Sequence, residues 1–115
     1  MTRHQGFDIR VAPEVKEQIR QLGLQRRRES RQAVSALDRL AHEGTRAAGA
    51  SKLRGLDLWE VRAGQIRLFF SPVPRSRRIA VGAMVVKKTK RLRMARLRHL
   101  ESVTHRWRTE VENER

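Results

Sequence analysis

KLRGLDLWEVRAGQIRLFF, residues 52–70, has the alternating pattern of a β-hairpin. Apolar side chains recur at every second position on both sides of Gly64-Gln65, as expected for strands whose side chains point to alternate faces. These apolar residues are Trp59, Val61, Ile66, Leu68 and Phe70. Gly64-Gln65 predicts a tight two-residue turn, because glycine accepts the positive φ angle that such turns require. The segment therefore predicts a sheet with one face directed into a core.

The other face of this hairpin carries charged side chains. A two-residue turn places Arg62 directly opposite Arg67, and like charges in that position destabilise a strand pair by up to about 1 kcal/mol. Glu60 lies on the same face and can offset part of the repulsion. Guanidinium groups match the geometry of phosphate oxygens. The pair therefore predicts a surface that binds a nucleic-acid phosphate or an acidic partner protein.

The overall composition favours a polyanionic partner. The 115 residues include 27 Lys and Arg against 12 Asp and Glu, giving a formal net charge of +15. Such a charge is typical of proteins that bind RNA, DNA or acidic proteins. The length predicts a single domain spanning residues 1–115, since a chain of this size supports one core. The polar residues 109–115 are expected to fray.

Several classes of site and location are disfavoured by the residues that the chain lacks. There is no cysteine, so disulfides and thiolate metal sites are excluded. The four histidines, His4, His42, His99 and His105, do not have the spacing of a metal motif. We therefore expect no metal and no organic cofactor. No apolar run has membrane-spanning length and the N-terminus lacks the apolar region of a signal peptide, which predicts a soluble, cytoplasmic protein without membrane contact.

The periodicity along the chain predicts the element order β-α-α-β-β-β-α. The predicted elements are a strand at 7–11, a helix from Pro13 that ends or bends at Gly23, a second helix ending at Gly44, the hairpin, a strand at 79–86 and a helix at 87–107. Residues 45–51 predict a loop, and residues 72–76 a break. The helices are grouped, so we expect an α+β fold: an antiparallel-rich sheet packed against an N-terminal helical hairpin and a C-terminal helix.

The same motifs, in this order, resemble the RelE/ParE toxin superfamily, and most closely its phage-derived HigB-type branch. The motifs are KLRG at 52–55, LWEVR at 58–62, RLFF at 67–70 and VVKKTK at 85–90. The resemblance extends from Phe7 to about His105. It implies a RelE-like fold and a toxin of a type II toxin–antitoxin system. The implied partner is a cognate antitoxin with a helix-turn-helix domain, which would cover the basic face.

The resemblance also implies an activity and a set of site residues. Many members of the superfamily are ribosome-dependent endoribonucleases that cut mRNA, so mRNA and ribosomal RNA are the implied partners. The resemblance assigns the basic catalytic face to Arg62, Arg67, Lys87 and Lys88, with Glu60 beside them. The surrounding basic residues, Lys52, Arg54, Lys90, Arg91 and Arg93, would extend the RNA-binding surface.

The sequence leaves the proton carrier of such a reaction open. Attack of a ribose 2′-hydroxyl on its 3′-phosphate needs a general base and a general acid. Some relatives have lysine at the position of Glu60 and a tyrosine or histidine near the C-terminal end, whereas this chain contains no tyrosine. The candidates that remain are Glu60, Lys87, Lys88, His99 and His105.

Two other functions stay open. The ParE branch inhibits DNA gyrase without cutting RNA, and the missing tyrosine together with Glu60 favours that alternative. A non-catalytic basic module that binds nucleic acid would also account for the net charge, because a basic surface attracts any phosphate backbone. The residues of the hairpin and of the basic run 87–98 would then form a solvated surface.

Overall fold

The computed structural model describes residues 6–87 and 91–114, which form an α+β structure with a mixed five-stranded sheet. The elements are β1 (Asp8–Val11), α1 (Pro13–Gln25), α2 (Arg27–Glu43), a 3₁₀ turn (Gly44–Arg46), β2 (Ala50–Lys52), β3 (Trp59–Ala63), β4 (Ile66–Pro72), β5 (Arg78–Val86) and α3 (Met94–Glu112). The predicted α+β class is confirmed. Within the described ranges, none of the helices has the length and apolar character needed to cross a membrane.

The strand order in the sheet is β1-β5-β4-β3-β2. β1 pairs with β5 in parallel, and the other three pairs are antiparallel. β5 therefore lies between two neighbours, and its residues from Ile79 to Val85 are buried. The prediction of a strand covered on both faces is confirmed, since a strand of continuous apolar residues is stable only where both faces are covered.

Helices cover both faces of the sheet. Phe69 and Phe70 are consecutive and both fully buried, so they enter cores on opposite faces. Phe70 belongs to the core that the sheet forms with α1 and α2, together with Leu40 of α2. Phe69 packs with Leu100 of α3 on the other face. We call this second face the α3 face, and it also carries the charged residues of the hairpin.

The boundaries of the first two helices follow local signals with one exception. Pro13 occupies the first turn of α1, where its missing N–H costs no hydrogen bond. The expectation that α1 ends at Gly23 is wrong, because the helix continues to Gln25. α2 ends at Gly44 as predicted, with a φ of +59°. A side chain at Gly44 would also collide with the Phe7 ring.

Two other segments differ from the sequence prediction. Residues 45–51 are not only a loop, because Ala50 begins β2, which pairs with β3 at the edge of the sheet. A three-residue strand is too short to show a period, and its partner strand supplies its hydrogen bonds. The third helix begins at Met94 instead of residue 87 and continues to Glu112. Its last turn is held because Val111 is fully buried against Val73, so residues 109–112 do not have the frayed structure expected.

β5 contains a bulge at Gly82. Phe69 pairs with Ala83 and Phe70 with Val81, which leaves Gly82 as an extra residue. A bulge shifts the alternation of the strand by one residue. Ala83, Val85 and the following Lys87 consequently lie on the α3 face.

Gly82 is also where α3 approaches the sheet closely. A Cβ at Gly82 would lie 2.6 Å from the Cα of Thr104. We expect Gly82→Ala to lower the free energy of unfolding by about 1–3 kcal/mol, because helix and strand must separate. In Gly23→Ala the new Cβ meets only an ordinary contact at 3.5 Å, so that control should raise stability by about 0.5–1 kcal/mol. Urea unfolding measures both, and effects of the same sign would contradict the prediction.

Candidate functional site

The hairpin register brings the two central arginines together. β3 and β4 pair with Arg62 opposite Arg67, as predicted. Gly64 has a φ of +61°, and the following Gln65 is not among the residues with positive φ. This combination is typical of a type II′ turn, in which glycine takes the first central position. The turn thereby fixes which side chains face each other.

Glu60 contacts both arginines of the hairpin. Its side chain is buried, with 1% exposed. Its Oε1 accepts a hydrogen bond of 2.6 Å from Arg62 Nε, and its Oε2 lies 4.0 Å from Arg67 Nη1. A buried carboxylate requires cationic partners, because its desolvation is otherwise costly. The repulsion expected between the arginines is thus offset by one shared carboxylate.

Lys87 is a third cation, close to Arg62, Arg67 and Glu60. It follows β5, and its backbone N–H donates to Gln65 O at 2.8 Å, which extends the ladder to the hairpin turn. Its side chain is 7% exposed. Its Nζ is buried and has no hydrogen-bond partner within the described residues. The amine therefore has unused hydrogen-bonding capacity.

Burial lowers the pKa of Lys87 below its usual 10.5, and the positive charges of Arg67 and then Arg62 lower the pKa further. The charge of Glu60 acts in the opposite direction, and Arg91 adds a smaller lowering effect. We call Arg62, Arg67 and Lys87, grouped around Glu60, the cationic cluster. Its positive charge exceeds the charge of its single carboxylate, so it favours an anion.

The lowered pKa of Lys87 predicts a pH dependence of stability. At pH values below the folded-state pKa, Lys87 is charged in the folded protein, and the full cost of burying that charge lowers the free energy of unfolding. Above it and up to the unfolded value of 10.5, the unfolded chain holds a proton that the folded protein has released, so the free energy of unfolding rises with pH. We expect the stability of the wild type to approach that of Lys87→Met as the pH rises toward 10.5. Urea unfolding over a series of pH values measures this difference, and a constant difference would contradict the assignment.

Arg91 and Arg93 also lie near one end of the α3 face. Both are exposed ahead of α3, and Arg93 is its N-cap residue. Arg91 is close enough to affect the pKa of Lys87. Arg91 therefore extends the positive charge of the cationic cluster. The predicted site residues Lys88 and Lys90 lie outside the described residues.

The predicted residues ahead of the hairpin have a different position. Lys52 is on β2, and its Nζ donates to Leu56 O at 2.7 Å. This contact closes the loop between β2 and β3. Arg54 is exposed in that loop. Lys52 therefore has a structural role in addition to its charge, which the sequence does not indicate.

The histidines considered as proton carriers lie on α3. His105 Nε2 is 2.5 Å from Asp57 O and 3.4 Å from Asp57 Oδ2. Arg108 Nη1 contacts the same carboxylate at 3.3 Å and Ser71 Oγ at 2.9 Å. His105 thus belongs to a separate cluster around Asp57, which precedes β3. His99 is exposed.

The described residues do not provide a set of ligands for a metal ion. Among residues 6–87 and 91–114, no group of three or more His, Cys, Asp or Glu side chains could hold a metal ion. The side chains grouped at the hairpin are mainly cations, which bind anions instead. Their arrangement favours phosphate or carboxylate ligands.

Comparison with known proteins adds no assignment. No protein-family model matches the chain, and no curated protein is significantly similar to it. The chemistry of this site therefore rests on its own residues.

Proposed function

We propose that this protein is the toxin of a type II toxin–antitoxin system and acts as a ribosome-dependent endoribonuclease that cleaves mRNA. The observation that carries the proposal is the buried amine of Lys87, which has no hydrogen-bond partner among residues 6–87 and 91–114 and is crowded by Arg67 and Arg62. The resemblance of the sequence motifs to the RelE/ParE superfamily, and the RelE-like fold that it would imply, support it. Its place of action would be the cytoplasm, where ribosomes translate mRNA.

In the proposed reaction, the ribose 2′-oxygen forms a bond to the adjacent phosphorus while the bond from phosphorus to the 5′-oxygen breaks. The products are a 2′,3′-cyclic phosphate and a 5′-hydroxyl. Negative charge develops on the phosphoryl oxygens, and preorganised donors stabilise it. Arg62 and Arg67 would supply these donors, because the Glu60 carboxylate holds both guanidinium groups on one face.

Lys87 is the proposed proton carrier. A general acid or base works best when its pKa lies near the working pH, and both burial and like charge lower the pKa of Lys87 toward that range. As a neutral amine it would accept the proton of the 2′-hydroxyl, and as an ammonium it would donate to the leaving 5′-oxygen. Glu60 has both oxygens directed at arginines, so we assign it as a positioning residue.

The surrounding charge would bind the RNA backbone. Arg91, Arg93, Arg96 and Arg98 are exposed near the start of α3. Contacts of this kind position a nucleic acid without reading its sequence and weaken with salt. The cognate antitoxin would compete for the same surface with an acidic or amphipathic segment.

The proposal is tested by expressing the protein without an antitoxin and mapping the 5′ ends of transcripts. The wild type should produce cleavage in phase with codons. Arg67→Ala should lower it about 100-fold, because one donor to the developing charge is lost while Arg62 remains. Arg46→Ala, an exposed arginine of the 3₁₀ turn, is the matched control and should cleave normally.

Two other results would contradict the proposed nuclease activity. Intact mRNA accompanied by DNA damage would indicate a ParE-like gyrase inhibitor. Intact mRNA and intact DNA would indicate a non-catalytic module that binds nucleic acid. Purified protein on translating ribosomes separates these cases without the complications of cell growth.

A further inference from the structure

The strand β5 has an open edge along its second half. β1 pairs with residues 78–81 of β5 and then leaves the sheet, because Ala12 N donates to Val81 O and Pro13 begins α1. β4 continues to pair with β5 on the other side. Within residues 6–87 and 91–114, no strand therefore occupies the position beside residues 83–86 that a longer β1 would fill.

The hydrogen bonds identify which backbone groups face this open position. Residues of an antiparallel strand direct their N–H and C=O groups alternately to one side and to the other. Lys87 N donates to Gln65 O, at the end of the ladder with β4, so Val86 and Met84 direct their backbone groups to the open side. A side chain of α1 agrees with this direction, since Gln18 Nε2 donates to Met84 O at 3.3 Å. Met84 N–H and the N–H and C=O of Val86 thus point to a side where no described strand pairs with them.

An apolar groove lies along the same edge. It has a volume of about 270 Å³ and lies between β5 and α1. Its apolar lining comes from Leu22, Met84 and Val86, and the other lining residues are polar side chains of α1. Residues 83–86 include neither a charged residue nor a proline, which natural sheets use to prevent pairing at open edges. An added strand would therefore meet unpaired backbone groups and an apolar surface at one place.

The two faces of the sheet specify the chemistry of such a strand. Its side chains would alternate between the groove and the α3 face. The groove side is apolar, whereas the α3 face carries the cationic cluster. A strand with apolar residues on one face and carboxylates on the other matches both. A second copy of this chain is disfavoured, because each copy has a formal net charge of +15 and the copies repel each other.

We propose that the open edge of β5 binds an extended segment of a different, acidic protein, which joins the sheet as a further strand beside residues 83–86. Extended peptides bind open sheet edges through main-chain hydrogen bonds, while pockets for alternate side chains give specificity. The inference goes beyond the proposed function, because it depends on the edge of the sheet and not on the cleavage of RNA.

The test uses the isotope-labelled, full-length protein and a synthetic decapeptide of alternating valine and glutamate. Amide hydrogen exchange, followed by NMR, measures the protection of individual backbone N–H groups. We expect the peptide to slow exchange at Met84 and Val86 about tenfold or more. The amide of Val85 faces β4 and should change little. Binding without protection of Met84 and Val86 would contradict the added strand.

Two control peptides separate an added strand from general attraction to a basic protein. In one, every backbone nitrogen is methylated, so the peptide has the same carboxylates but no N–H donor. It should bind about tenfold more weakly, the effect of losing one hydrogen bond. In the other, lysine replaces glutamate, and no binding is expected. Equal affinity for the methylated and unmethylated peptides would overturn the inference.

Val86→Pro removes an N–H of the edge in the protein itself. Proline is tolerated in a strand where its nitrogen faces away from the sheet, so the fold should be retained while the affinity for the glutamate peptide falls about tenfold. Gln25→Glu keeps the size of a groove side chain and adds a negative charge, so it should weaken binding about threefold. Ser35→Glu, on the exposed surface of α2, is the matched control and should bind normally.

Gln25→Glu also keeps the inference testable if Val86→Pro does not fold. Peptide binding that neither variant weakens would contradict the assigned edge. Protection of Met84 and Val86 that rises with protein concentration in the absence of peptide would identify a second copy of this chain as the occupant, and would overturn the assignment to an acidic partner.

Discussion

Replacing Lys87 with methionine is expected to reduce RNA cleavage about 10³-fold, the size of effect that a general acid or base supplies, while the fold becomes more stable. Lys87 is 7% exposed, and its Nζ is buried and has no hydrogen-bond partner in the described residues. Methionine keeps much of the length and apolar volume of lysine, so packing is retained. Removing the charge also relieves its repulsion with Arg67 and Arg62. Loss of activity accompanied by a gain in stability is the expected mark of a functional group held at a cost to the fold.

Single-turnover cleavage on ribosomes and thermal unfolding measure the two effects of Lys87→Met. Lys16→Met changes an exposed lysine of α1 and should alter neither quantity substantially. Lys87→Arg retains the charge but removes an amine that can lose its proton, so it should stay inactive without the gain in stability. Normal cleavage by Lys87→Met would exclude Lys87 as the proton carrier.

Replacing Glu60 with glutamine is expected to lower the free energy of unfolding by about 2–3 kcal/mol, because it removes the charge that compensates a buried cationic group. Glu60 is the carboxylate that contacts both Arg62 and Arg67. Glutamine keeps the shape and one acceptor oxygen, so the loss is electrostatic. The expected loss is smaller than the roughly 3–5 kcal/mol of fully buried pairs, because the Arg62 side chain is 56% exposed and water screens its charge.

Urea unfolding of Glu60→Gln should show a deficit that shrinks when inorganic phosphate is added, since the anion replaces the missing charge. The double variant Glu60→Gln/Lys87→Met should recover part of the stability, because one of the repelling cations is gone. Glu14→Gln, at an exposed carboxylate of α1, is the matched control. A stability equal to that of the wild type, without any phosphate effect, would contradict the role assigned to Glu60.

The hairpin was predictable because all of its information is local. Alternation of Trp59 and Val61 with charged residues gives the faces, and Gly64 gives the turn and hence the register. The short strand β2 was not predictable in this way, since three residues at Ala50–Lys52 show no period. The end of α3 also depended on distant residues, because the burial of Val111 against Val73 requires the folded sheet.

The candidate site was predictable only in part. The turn predicts that Arg62 and Arg67 face each other, and the strand period predicts that Glu60 lies on the same face. The sequence does not predict that Lys87 lies beside the two arginines, because the strand before it is apolar at every position from Ile79 to Val86 except Gly82. In a regular strand Lys87 would lie on the face covered by α1 and α2, and the bulge at Gly82 reverses this.

The sequence by itself determined an α+β chain with a hairpin, two arginines on one face and a large excess of positive charge. Periodicity, turn chemistry and net charge are properties of neighbouring residues or of the whole composition. Only the tertiary structure decided that Lys87 loses its water beside Arg62 and Arg67, and that Gln32 of α2 lies against Gly64. Desolvation and the approach of distant side chains depend on how the elements pack, and no local pattern records them.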